Sequence, residues 1–160
     1  MARSSMVILE EDHATFVAIL ERLCEEANAQ FAFLVDKNGP QVARMGNLGD
    51  VDPTALASLT AGNVAATEGL AQLIGEASFS TLFHEGEQEN LHLSVISNRF
   101  ILLVVFDEHS SLGLVRLRVK QRGAELAAAV ETVLSRDGSG AHPVESLSEI
   151  TDADIDALFG

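Results

Sequence analysis

Three strand-like runs crowded between residues 79 and 107 constrain this chain more than any other feature. They are Phe79 to Glu85, Asn90 to Ser97 and Arg99 to Asp107, separated by turn signals at Gly86 and at Ser97-Asn98. Connectors this short leave no room for a crossover, so the three must be antiparallel neighbours in one sheet. The last run, RFILLVVFD, is the most apolar segment of the chain. A strand covered on both faces reads as such a run, which predicts a central position for it.

The first half of the chain supplies the remaining elements. Phe31 to Asp36 (FAFLVD) is another nearly continuous apolar run, followed by the turn Lys37-Asn38-Gly39-Pro40 and a returning strand from Gln41 to Met45. Its Asn-Gly pair is a strong hairpin signal. A helix is predicted from about Glu11 to Asn28, with Phe16, Ile19, Leu20, Leu23 and Ala27 on its apolar side. Another is predicted from Ser110 or Ser111 to about Arg136. Leu114 to Val119 also alternates like a strand, but Val115, Val119, Leu126, Val130, Val133 and Leu134 carry a helical stripe over a longer window. The economical architecture is one five-stranded sheet with helices on its faces, of α/β (α+β) type. Residues 1–9 are expected to form a flexible start, 10–136 the domain, and 137–160 a linker and a short acidic amphipathic tail.

Between the hairpin and the three strands lies Asp52 to Gly75. Asp52 is placed as the N-cap, Pro53 at the first helical position and Gly75 just past the end, where a left-handed residue is wanted. Leu56, Leu59, Ala66, Leu70, Leu73 and Ile74 recur at helical spacing and are expected to face the core. Ala57, Ala61, Ala65 and Gly69 fall four residues apart, with Gly62 beside them. A glycine inside a helix costs about 1 kcal/mol relative to alanine. Two in one helix imply that something approaches its backbone closely: the chain's own sheet, or another chain.

Charge and composition narrow the function. The formal net charge is −14, which opposes nucleic acid binding and docking on anionic lipid, because both need clustered Lys and Arg. A protein partner or a small ligand remains. No signal peptide and no apolar run long enough to span a bilayer is present, so the expected compartment is the cytoplasm. Cys24 is the single cysteine and sits among core-like helix positions, where a buried structural thiol is expected.

Catalytic signals are missing. Neither GxxxxGK[ST] nor GxGxxG occurs, and His13, His84, His92, His109 and His142 make no metal-ligand spacing. Ser110 and Ser111 beside His109 are better explained as helix caps than as a nucleophile with its base. Four of the ten basic residues, Arg116, Arg118, Lys120 and Arg122, share one short stretch. They form either a solvated helix surface or a landing site for an acidic partner or the chain's own acidic tail. That tail, 145–160, holds five carboxylates, no basic side chain, and the apolar residues Ile150, Ile155, Leu158 and Phe159.

FAFLVDKNG, SLTAGNVAATEGLAQLIGE, FHEGE and LLVVFDEHSSLGLVRLRVK together resemble the MglB branch of the bacterial Roadblock/dynein light chain family, over about Glu11 to Arg136, with a return of the likeness at ITDADIDALF. The resemblance implies a Roadblock/longin-like fold: an antiparallel sheet with one helix on one face and two on the other. It implies a homodimer built by pairing edge strands, here Phe79, Thr81 and Phe83, and by packing the middle helices. It further implies binding to a small Ras-like GTPase of the MglA type, two regulators to one GTPase, with faster GTP hydrolysis, in polarity and motility control and with concentration at a cell pole. The helix residues that match the family's binding surface are Ala57, Thr60, Ala61, Val64, Ala65, Glu68, Gly69 and Gln72, of which Glu68 and Gln72 depart from the neutral or basic residues of relatives. Ile150, Ile155, Leu158 and Phe159 are the corresponding tail-docking residues. The chain would then be no enzyme, with no cofactor or metal of its own; GTP and magnesium belong to the partner. A non-catalytic dimeric scaffold or light-chain-like adaptor is the alternative, and a small-molecule sensor is a further rival.

Overall fold

The computed structural model describes residues 7–140, and side chains through 136. The predicted order holds: α1 (Glu10–Ala27), β1 (Phe31–Asp36), β2 (Gln41–Gly46), α2 (Pro53–Leu73), β3 (Thr81–Glu85), β4 (Asn90–Ile96), β5 (Phe100–Phe106) and α3 (Leu112–Gly140). The five strands form one sheet in the order β2-β1-β5-β4-β3, with every neighbouring pair antiparallel. The segment 114–119 lies in α3, as the longer stripe predicts. The divisions expected at residues 1–9 and 137–160 fall largely outside the described residues.

A tight turn joins β4 to β5, and a close backbone approach ends β2. Ser97 and Asn98 both adopt left-handed backbone, φ 53° and 55°, as a two-residue turn between antiparallel strands requires. At the end of β2, Gly46 has φ 108°, and a Cβ there would sit 2.4 Å from the Gln30 carbonyl oxygen. No other residue fits beside the start of β1 without moving that backbone.

β5 is buried along its whole length, which is why its sequence shows no alternation. Phe100, Leu102, Val104 and Phe106 face α1 and α3, while Ile101, Leu103 and Val105 face α2. The expected one-plus-two arrangement of helices is what the structure has. The α1–α3 side is closed by Phe16, Leu20 and Leu23 from α1 and by Val115, Leu126 and Val130 from α3, all fully buried. Ion pairs tie the two helices together at their rim. Arg22 meets Glu125 at 2.7 Å, Arg122 meets both Glu26 and Glu125, and Arg136 meets the buried Asp12. Asp12 also accepts a 2.8 Å hydrogen bond from the Leu9 backbone N–H, one of the donors left free at a helix start. Cys24 is half-buried against this layer and burial, aided by Glu25, pushes its thiol up to about 12, in keeping with an unreactive structural role.

Candidate partner-binding surface

α2 lies on the other side of the sheet, over β1, β2 and β5. Its ends are as predicted. The Asp52 side chain accepts from the Thr54 N–H, Pro53 is the first helical residue, and Gly75 has φ 84° just beyond the end. Which side of the helix faces the sheet is not as predicted. Ala57, Thr60, Ala61, Val64 and Ala71 are buried, while Leu59, Leu70, Leu73 and Ile74 are 72%, 59%, 83% and 68% exposed. Ala66 is exposed too, and of the expected core stripe only Leu56 is partly covered.

The reason lies in the sheet beneath. Phe31 and Phe33 project towards α2 with ring centroids 5.8 Å apart and fill the layer. Only small side chains fit between those rings and the helix, so the alanines turn inward and the leucines are left outside. The four-residue stripe divides for a geometric reason. Each step of four advances about 40° around a helix of 3.6 residues per turn, so Ala57 and Ala61 point in while Ala65 and Gly69 have rotated out. A Cβ at Gly62 or Gly69 would meet nothing within 4 Å. The chain's own sheet is therefore not what approaches these glycines.

The eight helix residues singled out from sequence fall into two groups. Ala57, Thr60, Ala61 and Val64 are 2%, 5%, 8% and 3% exposed and form the helix's seat on its own sheet, which corrects their assignment to an outward surface. Ala65, Gly69 and Gln72 are exposed. Glu68 is half-buried rather than free, since its carboxylate accepts from the Lys37 ammonium at 2.8 Å across to the β1–β2 turn. The outward surface of α2 is thus uncharged, with Leu59, Gly62, Ala65, Ala66, Gly69, Leu70 and Leu73 beside the polar Ser58, Asn63 and Gln72. The exposed leucines are the part that sequence reasoning missed. The drift of the four-residue spacing was the available signal.

At the sheet edge, β3 begins at Thr81, so Phe79 precedes the strand instead of opening it. Thr81 is exposed, and Phe83 points to the α1–α3 side, stacked on Phe106 at 6.2 Å. Among the described residues β3 has only β4 as a neighbour, as expected of an edge strand. Ile150, Ile155, Leu158 and Phe159 lie outside the described residues. Around His109 there is a cap and no nucleophile. Asp107 accepts from both the backbone and the ring of His109, which lowers the Asp107 carboxyl and raises the imidazole. The Ser110 hydroxyl donates to the Ala27 carbonyl, and Ser111 accepts from the Leu114 N–H. Among the described residues no group of side chains fits a metal ion, and no helix is long and apolar enough to cross a membrane.

A five-stranded antiparallel sheet carrying one helix on one face, two on the other and an open edge strand is the Roadblock arrangement, and the Roadblock/LC7 domain matches residues 15–106. The chain belongs to the Roadblock/LC7 family. Within it, the chain is similar to Myxococcus xanthus MglB, at 47% identity and a TM-score of 0.76 over 80% of this chain and 96% of that one. It is similar also to the gliding protein MglB of Thermus thermophilus, at 35% identity and a TM-score of 0.74 over 82% and 99%. An MglB solved in a tetrameric arrangement matches at 34% identity and a TM-score of 0.76, again over 82% and 99%. No curated protein matches at a significant level.

Proposed function

We propose that this chain is a homodimeric regulator of a small Ras-like GTPase of the MglA type, acting in motility and polarity control. The observation that carries the reading is the uncharged, leucine-bearing outer side of α2, left open by the described residues. Contiguous exposed apolar surface of this kind marks a protein contact. The similarity to a gliding protein and to an MglB of tetrameric arrangement supports both the process and the self-association. Pairing of β3 with its copy would satisfy the unpaired backbone groups of that edge. Two regulators would then present two α2 helices side by side to one GTPase.

The composition of α2 restricts how it would accelerate hydrolysis. An arginine finger contributes about 10³ to 10⁵ in rate. The segment from Pro53 to Glu76 has no Arg or Lys, so the helix works by a different route. It binds the GTPase's hydrolysis-competent arrangement more tightly than its resting one, and the GTPase's own residues complete the site. GTP and magnesium stay with the partner. The acidic segment 145–160 adds a second contact that tunes affinity or exchange.

The test is single-turnover GTP hydrolysis by an MglA-type GTPase with and without this protein, beside light scattering of the complex. Acceleration with a two-to-one mass supports the reading. Binding without acceleration would leave a scaffold. Arg in place of Ala65 or Gly69 should abolish binding while circular dichroism stays unchanged, because both positions open outward.

A further inference from the structure

On the α1–α3 side of the sheet, where α3 passes over β4 and the start of β3, a cleft of about 470 Å³ remains. Its floor carries His92 and Ser94, 2% and 8% exposed, and neither ring nitrogen of His92 nor the Ser94 hydroxyl has a hydrogen-bond partner. Buried polar groups in folded proteins are nearly always satisfied, so three orphan atoms in one cleft call for an occupant. Its α3 wall carries Arg116 and Lys120, both exposed and one helical turn apart. The basic stretch noted in the sequence is thereby sorted. Arg122 is engaged by Glu26 and Glu125, and Arg118 by Gln121. Arg116 and Lys120 make no ion pair with any described residue, and both face the cleft that holds the orphan groups.

The geometry points to this cleft as a binding site for a carboxylate-bearing peptide, and to the chain's own acidic C-terminal segment, 145–160, as its occupant. A carboxylate accepts from the His92 N–H and the Ser94 hydroxyl, and each is a donor otherwise unused. Arg116 and Lys120 neutralise its charge at the rim. Val119 and Ile96 offer apolar surface beside them. The segment has the matching chemistry. Asp152 and Asp156 are four residues apart, the interval that separates Arg116 from Lys120; Ile155 lies between Asp154 and Asp156, and Leu158 and Phe159 follow them. Reach is sufficient. From Gly123 to Gly140, α3 runs about 26 Å at 1.5 Å per residue. The ten residues 141–150 span up to about 33 Å when extended, enough to bring residues 151–160 back to the cleft. Tethering gives the segment an effective concentration of order millimolar, so a weak contact is filled. In a chain of net charge −14, these two unpaired cations are the natural resting place for its most acidic stretch. The cleft lies opposite α2, so a segment stored there leaves the outer side of α2 uncovered.

Paramagnetic relaxation on the full-length protein tests this. A nitroxide is attached through Ala157→Cys in a Cys24→Ala background, with ¹⁵N-labelled chain. The amide signals of Ser94, Val119 and Gly123 should be lost, while those of Ala43 and Met45 at the opposite sheet edge persist. Arg116→Glu with Lys120→Glu, both at exposed positions, should restore the lost signals and leave the rest of the spectrum in place. Two results would overturn the proposal: cleft signals that persist in the full chain, or losses that survive the charge reversal.

Discussion

The two faces of one sheet are finished to different degrees. On the α1–α3 side two helices cover the strands, their large side chains are fully buried, and a network of ion pairs ties helix to helix. On the α2 side a single helix meets the sheet through alanines, one threonine and a valine, and turns its leucines to the exterior. Its described ion pairing is the contact of Glu68 with Lys37. The same strands supply both faces, so the difference lies in which strand side chains point to each side. The teaching is that burial was assigned by available volume. Where Phe31 and Phe33 already fill the layer, a helix can be seated only by its small residues. An apolar face left exposed beside a well-filled layer is the kind of surface on which a proposal of partner contact rests.

The largest expected effect lies on the finished face. Phe100→Ala removes a fully buried ring that packs edge-on against Phe16, with centroids 6.2 Å apart. Such truncations cost about 3–5 kcal/mol. Urea unfolding should show this loss at every protein concentration. A loss below about 1 kcal/mol would mean that the closed side is not what holds the domain together.

Leu73→Arg on the unfinished face should behave in the opposite way. Leu73 is 83% exposed, so the folded chain itself loses little, within about 0.5 kcal/mol at dilutions where no assembly forms. The effect should appear as weaker self-association or weaker GTPase binding, at least about tenfold. Equal unfolding curves and equal binding would break the comparison, because the exposed leucines would then have no partner.

Legibility in the sequence follows the same division. The strands, hairpins and caps were readable because they depend on local chemistry, whereas the pairing of β1 with β5 was not. Examples are Asp52-Pro53, the Ser97-Asn98 turn and the alternation lost in RFILLVVFD. The stripes of α1 and α3 were readable because large apolar residues had large spaces to fill. α2 was misread on both sides at once, since the rule that leucine goes inward ahead of alanine assumes an empty layer beneath. That layer is filled by Phe31 and Phe33, residues remote from α2 in sequence, which no local pattern reports. The same limit hid the cleft beside His92. A histidine in an alternating strand carries no sign of whether its ring finds a partner.

A smaller effect should separate the ion pairs of the two faces. Arg122 bridges from α3 to Glu26 on α1 and also meets Glu125; its bond lowers the Glu26 carboxyl, Glu125 is lowered first by its bond to Arg22 and further by Arg122, and the Arg122 guanidinium is raised. Glu68 meets Lys37 alone. Arg122→Ala should therefore lower the melting temperature more than Glu68→Ala does, and added salt should shrink both differences. A larger loss from Glu68→Ala would mean that α2 is held by its charge and not by its seat.

The smallest effect concerns a flaw in the finished face itself. His92 is the place where the α1–α3 side remains incomplete, with a buried ring whose nitrogens lack partners. Burial holds its imidazole below the usual histidine value, and Arg116 adds to the shift. Between that lowered value and about 6.5 the unfolded chain binds more protons at this residue than the folded one. Stability contributed here is therefore full above about pH 6.5 and is lost as pH falls through the window. His109 has the opposite sign, because its bond to Asp107 raises the imidazole; its contribution is full at low pH and lost as pH rises through the folded value. With Asp152, Asp154 and Asp156 changed to Asn, histidine NMR titration should find His92 below His109, on opposite sides of about 6.5. In the unaltered chain His92 should titrate higher than in that variant, since a carboxylate in the cleft favours the imidazolium. In that Asn variant, where no carboxylate fills the cleft, His92→Phe should leave unfolding at neutral pH nearly unchanged or slightly more stable, because no satisfied hydrogen bond is lost. It should also flatten the decline below about pH 6.5. A His92 that titrates at or above His109 in the Asn variant would show that the ring is solvated, and that this edge of the finished face is open to water.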